Sequence, residues 1–141
     1  MRSKNWLQRH KQDIYVKKAK KEGYLSRAAF KLIEIEKKFK IIKNANKILE
    51  LGSAPGGWSQ IVCNLNQKVT IHAFDILEMK FKNPQVKFFK LNFFKFNFKS
   101  FNIKYDLILS DMAPNTIGHQ STDHLRIASI IQDIISLLED I

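Results

Sequence analysis

An apolar segment that runs directly into a glycine-rich turn is the feature that most constrains the fold of this chain. The segment "KILEL" (47–51) is followed by Gly52, Ser53, Gly56 and Gly57, and a helix-sized stretch begins near Trp58. Glycines allow a sharp turn and the close approach of a ligand, because they lack a Cβ atom. The pattern fits neither G-x-G-x-x-G nor G-x-x-x-x-G-K-[ST], so it does not favour a dinucleotide or a nucleoside triphosphate site. On its own it is equally compatible with a purely structural turn.

Further apolar runs alternate with helix-sized segments. The strand-like runs are "VTIHAF" (69–74), "VKFFKL" (86–91) and "YDLILS" (105–110). Helical spacing appears over 25–39, with Ser26 as the N-cap, and over 124–140, and Gly23 can end a helix before it. This alternation predicts an α/β fold with a parallel sheet and helical crossovers.

Acidic residues follow two of the predicted strands. Ligands of such sheets bind outside the carboxyl ends of the strands. Asp75 could accept both hydroxyls of a ribose, although an Asp in a strand-ending turn is the simpler alternative. Asp111 follows "LIL" and precedes Pro114, and its carboxylate favours a cationic ligand or a neighbouring ammonium group.

Positive charge is concentrated at the amino-terminal end of the chain. The net charge of the 141 residues is +11, and residues 1–43 hold 14 Lys and Arg against four Asp and Glu. This asymmetry favours a nucleic acid partner, with an anionic membrane, an acidic partner or a solvated face as the alternatives. We therefore separate a basic segment with its helix (1–43), for which a nucleic acid partner is expected, from the rest of the chain (44–141).

Composition limits the class of protein. Hydrophobic residues make up 45% of the chain, enough for a globular core, and no apolar run approaches the roughly 20 residues of a membrane span. The amino terminus has no apolar region typical of a secretory signal. The single cysteine, Cys63, excludes an intramolecular disulfide and is interpreted as a small buried hydrophobe rather than a reactive thiol. The phenylalanine-rich region 79–104 is interpreted as a core face rather than a base-stacking surface.

Three stretches, in the same order, resemble the FtsJ/RrmJ-type ribosomal RNA 2′-O-ribose methyltransferases. They are "WLQRHKQDIYVKKAKKEGYLSRAAFKLIEI", "LGSAPGGWSQ" and "LSDMAPN", and the resemblance runs from about Trp6 to the carboxyl terminus. It implies a Rossmann-like methyltransferase sheet with flanking helices and the cofactor S-adenosyl-L-methionine. The implied reaction is 2′-O-methylation of a uridine in large-subunit (23S-type) ribosomal RNA during ribosome maturation. The implied partner is ribosomal RNA or the large ribosomal subunit, with no membrane and no metal, in a bacterial cytoplasm or an organelle matrix.

The resemblance also assigns cofactor-binding residues. Gly56 and Trp58 would line the methionine end of the cofactor, with Gly52 and Gly57 in the same motif. Asp75 would hold the ribose hydroxyls, and Asp111 would lie near the reacting centre. Asn92 stands where the family has an Asp on the adenine. An amide can still form a hydrogen bond with the base but carries no charge.

The catalytic assignment follows from the same motifs. Lys31, in "SRAAFKL", matches the first lysine of the family's Lys-Asp-Lys-Glu set, and Asp111 would orient it. A ribose hydroxyl is a poor nucleophile until its proton is removed, and a lysine near other cations or partly desolvated suits that task. The family's second lysine, the usual proton acceptor, and its glutamate would lie beyond Ile141, as would further strands of the sheet.

We therefore expect weak turnover or none from the 141 residues, and the 105–110 strand to lack its usual neighbour. The alternatives are a catalytically inactive RNA-binding module that keeps the fold, and a methyltransferase acting on protein or small molecules.

Overall fold

The structure, a computed structural model, describes residues 4–112 together with residues 132 and 135. Residues 4–112 form an α/β fold whose elements are α1 (Lys4–Glu22), α2 (Ala28–Phe39), β1 (Lys47–Leu51), α3 (Gly57–Leu65), β2 (Thr70–Asp75), β3 (Val86–Lys90), two 3-10 turns (Phe93–Lys95 and Phe98–Phe101) and β4 (Leu107–Ser110). The helix predicted over 124–140 falls outside the described residues, apart from 132 and 135. The boundary between 43 and 44 stays a prediction.

The four strands pair in parallel in the order β3-β2-β1-β4, which confirms the predicted sheet. The predicted strand 47–51 coincides with β1, whereas the predicted strand 105–110 shortens to β4. Leu51, at the end of β1, lies opposite Phe74 of β2 and Ser110 of β4. The carboxyl ends of these three strands therefore meet at one edge of the sheet. Within residues 4–112, β4 pairs with β1 alone.

β1 is buried on both faces, as a central parallel strand requires. Ile48 belongs to a core cluster that also contains Ala29 and Leu32 of α2 and residues of α3. Leu49 and Leu51 point to the opposite face and pack in a second, aromatic cluster. Successive residues of β1 thus contribute to two cores, because side chains alternate along a strand.

The aromatic cluster confirms that most of the phenylalanine-rich region is core. Phe93 and Phe98 are buried, and Phe74 stacks on Phe89 with ring centroids 4.7 Å apart. Phe94 is the exception, since 39% of it is exposed beside Asn92. The predicted role of the lone cysteine is also confirmed. Cys63 is buried, and burial, with a smaller effect of the Glu50 charge, raises the pKa of its thiol to about 11.

The start of α2 differs from the sequence prediction. Ser26 was expected as the N-cap, but the helix begins at Ala28, and Arg27 precedes it without a side-chain capping bond. The Ser26 hydroxyl lies against Gly57 instead, where a Cβ atom would collide with it. The serine therefore serves packing between α2 and α3 rather than capping, so the N-cap prediction is wrong.

Among the residues that the structure describes, no helix combines the length and the apolar character needed to cross a bilayer. α1 is the longest described helix, and most of its residues are exposed. It is anchored near its end, where Ala19 is buried and its carbonyl accepts a hydrogen bond of 2.8 Å from the Tyr24 backbone. Gly23, with φ of +82°, then ends the helix as the sequence predicts.

Two glycines with positive φ differ in what surrounds them, and this gives a stability prediction. Gly56 has φ of +117°, and a Cβ atom there would collide with Phe81, whereas a Cβ atom at Gly23 would meet nothing within 4 Å. We expect Gly56→Ala to lower the free energy of unfolding by roughly 3 kcal/mol, because it adds overpacking to backbone strain. Gly23→Ala should cost only about 1 kcal/mol, the strain alone. Urea unfolding measures both, and equal losses would contradict the packing argument.

Candidate functional site

The loop after β1 is fixed to the end of β2 by backbone hydrogen bonds. The amides of Gly52 and Ser53 donate to the Phe74 carbonyl at 2.8 and 3.1 Å. The Ala54 amide donates to Asp75 Oδ2 at 2.9 Å, and the Leu77 amide donates to Asp75 Oδ1 at the same distance. Asp75 therefore shapes the loop. Each carboxylate oxygen has two lone pairs, so each can accept one further hydrogen bond.

Backbone conformation and close packing within the protein explain why this loop requires glycines. Gly52 and Gly56 have φ of +74° and +117°, a region that side chains with a Cβ atom rarely adopt. A Cβ atom at Gly52 would collide with Met112, and one at Gly57 would collide with Ser26. Gly52 and Gly57 line cavities at the strand ends, whereas Gly56 lies against Phe81 and outside the lining of those cavities.

Two adjoining cavities lie at the carboxyl ends of the strands. A shallow one of about 40 Å³ is bounded by Ser53, Gly57 and Trp58. One of about 150 Å³ is bounded by Asp75, Asn92, Phe94 and Met112. Gly52 lines both, so the two cavities adjoin at this residue, and together they are called the groove.

Trp58 connects the groove to α2. Its side chain is 6% exposed, and Nε1 donates to the Ala28 carbonyl at 2.7 Å. A buried indole N–H needs such a partner, and here the partner is the first residue of the helix that carries Lys31. Trp58 therefore sets the position of α2 relative to the strand ends.

Ser53 has a buried hydroxyl with no partner among the described residues. The residue is 4% exposed, lines the shallow cavity, and its Oγ makes no hydrogen bond. Buried polar atoms are nearly always hydrogen-bonded, so an orphaned hydroxyl beside a cavity is a candidate partner for a water molecule or a ligand atom. The position of Ser53 in the loop was visible in the sequence, but the missing partner was not.

Glu50 is a buried carboxyl group beneath the groove. It is 2% exposed and accepts a hydrogen bond from the Ser59 hydroxyl of α3. Burial raises the pKa of Glu50 to about 7, and the charge of Asp75 adds to this, while the hydrogen bond from Ser59 acts in the opposite direction. A single acidic residue inside the apolar run "KILEL" is the sequence signal for such a group.

Asn92 lies at the other end of the groove with its side-chain orientation fixed. Its Oδ1 accepts a hydrogen bond of 3.0 Å from the Phe94 amide and so caps the first 3-10 turn. One lone pair of the amide oxygen is thereby used, and the second lone pair and the Nδ2 group remain available at the edge of the cavity.

Lys31 and Asp111, the two predicted catalytic residues, are in contact. Lys31 Nζ donates to Asp111 Oδ1 at 2.5 Å, and their side chains are 60% and 30% exposed. Lys31 comes from α2, and Asp111 follows β4 immediately. Asp111 lines the shallow cavity as well, so the ion pair stands directly beside the groove.

A larger cavity of about 370 Å³ lies on the far side of this ion pair. Its lining residues are Tyr15, Arg27, Ala28, Phe30, Lys31, Glu34 and Asp111. Tyr15 has no role that the sequence predicts, because only its contact with Phe30 of α2 brings it to this cavity. Arg27 precedes Lys31 by four residues and joins the same cavity through the start of α2. In the part of the chain that the structure describes, no three His, Cys, Asp or Glu residues are grouped as metal ligands would be.

A parallel sheet with glycines, a carboxylate and an orphaned hydroxyl at its carboxyl ends is an arrangement typical of α/β proteins that bind a small polar ligand at that edge. Comparison with known families identifies it further. The model of the FtsJ-like methyltransferase family matches residues 24–140, and the chain belongs to this family.

Known proteins of similar sequence and structure agree. The chain is 44% identical to the ribosomal RNA large subunit methyltransferase E of Zymomonas mobilis, over 93% of this chain and 61% of that protein. It is 47% identical to the protein of the same name from Rickettsia bellii, over 88% of this chain and 59% of that protein. A crystal structure described as that of a ribosomal RNA methyltransferase from Plasmodium falciparum superposes with a TM-score of 0.69. The identity is 31%, over 79% of this chain and 69% of that one. The chain spans about six tenths of the length of the two bacterial relatives.

The raised pKa of Glu50 predicts a pH-dependent stability. Its folded value of about 7 lies above the ordinary 4.5, so the folded carboxyl binds its proton more tightly than the unfolded one. The protonated Glu50 therefore stabilises the folded state fully below about pH 4.5, and this stabilisation is lost as the pH rises through about 7. We expect the unfolding free energy of wild type relative to Glu50→Gln to fall across this window by on the order of 1–3 kcal/mol. Urea unfolding at several pH values measures it, and a constant difference would contradict the assignment.

Proposed function

We propose that the protein is an S-adenosylmethionine-dependent methyltransferase that modifies a ribose 2′-hydroxyl of large-subunit ribosomal RNA. The observation that carries this proposal is the Lys31–Asp111 ion pair, which lies between the groove at the strand ends and the cavity under α1. Membership of the FtsJ-like family and the names of the bacterial relatives support the reaction class and the substrate. Its place of action would be the compartment that holds ribosomes, a bacterial cytoplasm or an organelle matrix.

The groove suits the cofactor in three respects. The orphaned Ser53 hydroxyl is a hydrogen-bond partner for the polar methionine end, beside Gly57 and Trp58. The remaining lone pairs of Asp75 suit the ribose hydroxyls. The amino group of Asn92 suits a ring nitrogen of the adenine, an acceptor, and the second lone pair of its oxygen suits the exocyclic amine. When bound, S-adenosylmethionine supplies an electrophilic methyl group on a positively charged sulfur.

The glycines support this site in two ways. Gly52 forms part of the floor between the two cavities, and Gly57 lines the methionine end. Gly56 acts through the loop conformation, because its backbone has positive φ and its neighbour is Phe81.

Lys31 and Asp111 act on the acceptor hydroxyl. Lys31 Nζ has three donors, of which Asp111 accepts one, so the others can hold the 2′-oxygen of a ribose beside the groove. Asp111 fixes the direction of the ammonium group. Such positioning is a large part of catalysis when two substrates must meet in line.

The basic segment supplies the affinity for RNA. Lys17, Lys18, Lys20 and Lys21 of α1 are exposed, and Arg27 and Lys31 continue the positive surface to the ion pair. Phosphate contacts of this kind orient a nucleic acid without reading its sequence.

Cofactor binding is tested by comparing two aspartates that have similar hydrogen bonds at opposite edges of the sheet. Asp75 and Asp106 each accept two backbone N–H bonds, but Asp106 binds Asn46 and Lys47 at the amino ends of the strands. We expect Asp75→Asn to weaken S-adenosylmethionine binding about 10- to 100-fold, because bonds to a charged acceptor are lost. Asp106→Asn should leave the affinity unchanged. Isothermal titration calorimetry measures both, and equal affinities for all three proteins would argue against the site.

Methyl transfer is tested at the ion pair. In single-turnover assays with excess protein, which make the weak turnover expected of the wild type measurable, we expect Lys31→Met to lower the transfer of label from S-adenosylmethionine to ribosomal RNA by about 100-fold, while cofactor affinity is kept. Lys104→Met is the control, because Lys104 is an exposed lysine that precedes β4 at the amino ends of the strands and lines none of the three cavities. Its activity should equal that of the wild type.

The label itself separates the proposal from its alternatives. Recovery as a 2′-O-methylated nucleoside after digestion supports the proposal. RNA binding without any transfer would favour an inactive RNA-binding module, and label in protein or small molecules would favour a different methyltransferase.

A further inference from the structure

We propose that the 370 Å³ cavity under α1 binds the target nucleotide of single-stranded RNA, with Tyr15 as the surface on which its base stacks. This inference rests on the proposed function and deepens it. The volume lies within the range of about 300–1,000 Å³ that is typical of small-ligand sites. The cavity shares Ala28 and Asp111 with the groove, so a ligand in it lies next to the methyl donor's site.

The cavity has a charged wall and an aromatic wall, as a nucleotide has a charged backbone and an aromatic base. Arg27, Lys31 and Glu34 are spaced along one face of the start of α2 and line one wall. The two cations suit a phosphate and a ribose hydroxyl. Glu34 repels a phosphate and accepts hydrogen bonds, so the ring N–H of a base suits its end of the cavity better.

The aromatic residues form the second wall, and only one of them offers a free ring. Phe30 is surrounded, because Tyr24 meets its ring edge-on at 5.5 Å and Lys18 Nζ lies 5.0 Å from its centroid. Tyr15 contacts Phe30 at 6.0 Å between ring centroids and remains 49% exposed. Tyr15 therefore has an open face, supported from beneath by a fixed phenylalanine.

A half-exposed tyrosine on a lysine-rich helix suits RNA. Bases stack on aromatic rings without regard to sequence, while Lys17 and Lys18 are exposed lysines of the same helix that can contact phosphates. A base that stacks on Tyr15 would be outside its own RNA stack. Enzymes that modify a nucleotide commonly require such an extruded or single-stranded arrangement.

The experiment measures binding of fluorescein-labelled oligouridylate to the full chain by anisotropy, over a range of salt concentrations. We expect Tyr15→Ala to weaken binding about 10-fold at every salt concentration, because stacking is lost and no phosphate contact is. Tyr15→Phe, which keeps the ring, should bind within about twofold of the wild type. Lys17→Gln is the contrasting control, and it should reduce the salt dependence by about 0.7 in the slope of log K against log salt.

A second readout does not depend on the stability of any variant. Oligouridylate that carries 5-iodouridine is irradiated with the wild-type chain, and mass spectrometry locates the adduct. An adduct on Tyr15 supports the inference. Adducts confined to other residues, unchanged binding by Tyr15→Ala, or no binding of oligouridylate would each overturn it. If these tests fail although the wild-type protein binds cofactor and methylates RNA, this inference is wrong and the proposed function still stands. Absence of cofactor binding would instead count against the proposed function.

Discussion

The attachment of the β1 loop to the end of β2 is the constraint on which the site depends. The amides of Gly52, Ser53 and Ala54 donate to Phe74 and Asp75, so the loop cannot move away from the second strand. A parallel sheet brings the ends of its strands to one edge but does not by itself give a rigid surface there. The hydrogen bonds to Phe74 and Asp75 provide that rigidity, and they leave the Ser53 hydroxyl directed toward a cavity without a partner.

The groove and the ion pair combine segments that are distant in the chain, yet they form one surface. Trp58 connects α3 to the first residue of α2, and Lys31 follows one turn later. Asp111 reaches the same point because β4 pairs beside β1. The proposed cofactor residues on strand ends and a lysine on the preceding basic helix are thus brought together by packing of α2 on α3. In the proposed function, RNA and the small ligand would meet at this boundary.

Much of the fold could be predicted because its signals are local. An apolar run bounded by turn residues gave the limits of β1, and acidic residues directly after such runs marked Asp75 and Asp111 as strand-end groups. Contacts between distant segments could not be predicted in this way. The Ser26 hydroxyl packs on Gly57 instead of capping α2, and the need for glycine at position 52 comes from Met112. The hydrogen bond to the Asn92 oxygen follows from a 3-10 turn that has no clear sequence pattern.

The position of α1 separates two stages in an encounter with RNA. Its lysines extend into solvent, while buried contact with the rest of the protein is concentrated near Ala19. Long-range attraction to such a helix accelerates association and weakens with salt. Dissociation would instead be governed at the short-range contacts near Lys31. Mutations of the α1 lysines should therefore change mainly the on-rate, whereas mutations at Tyr15 or beside the ion pair should change mainly the lifetime of the complex.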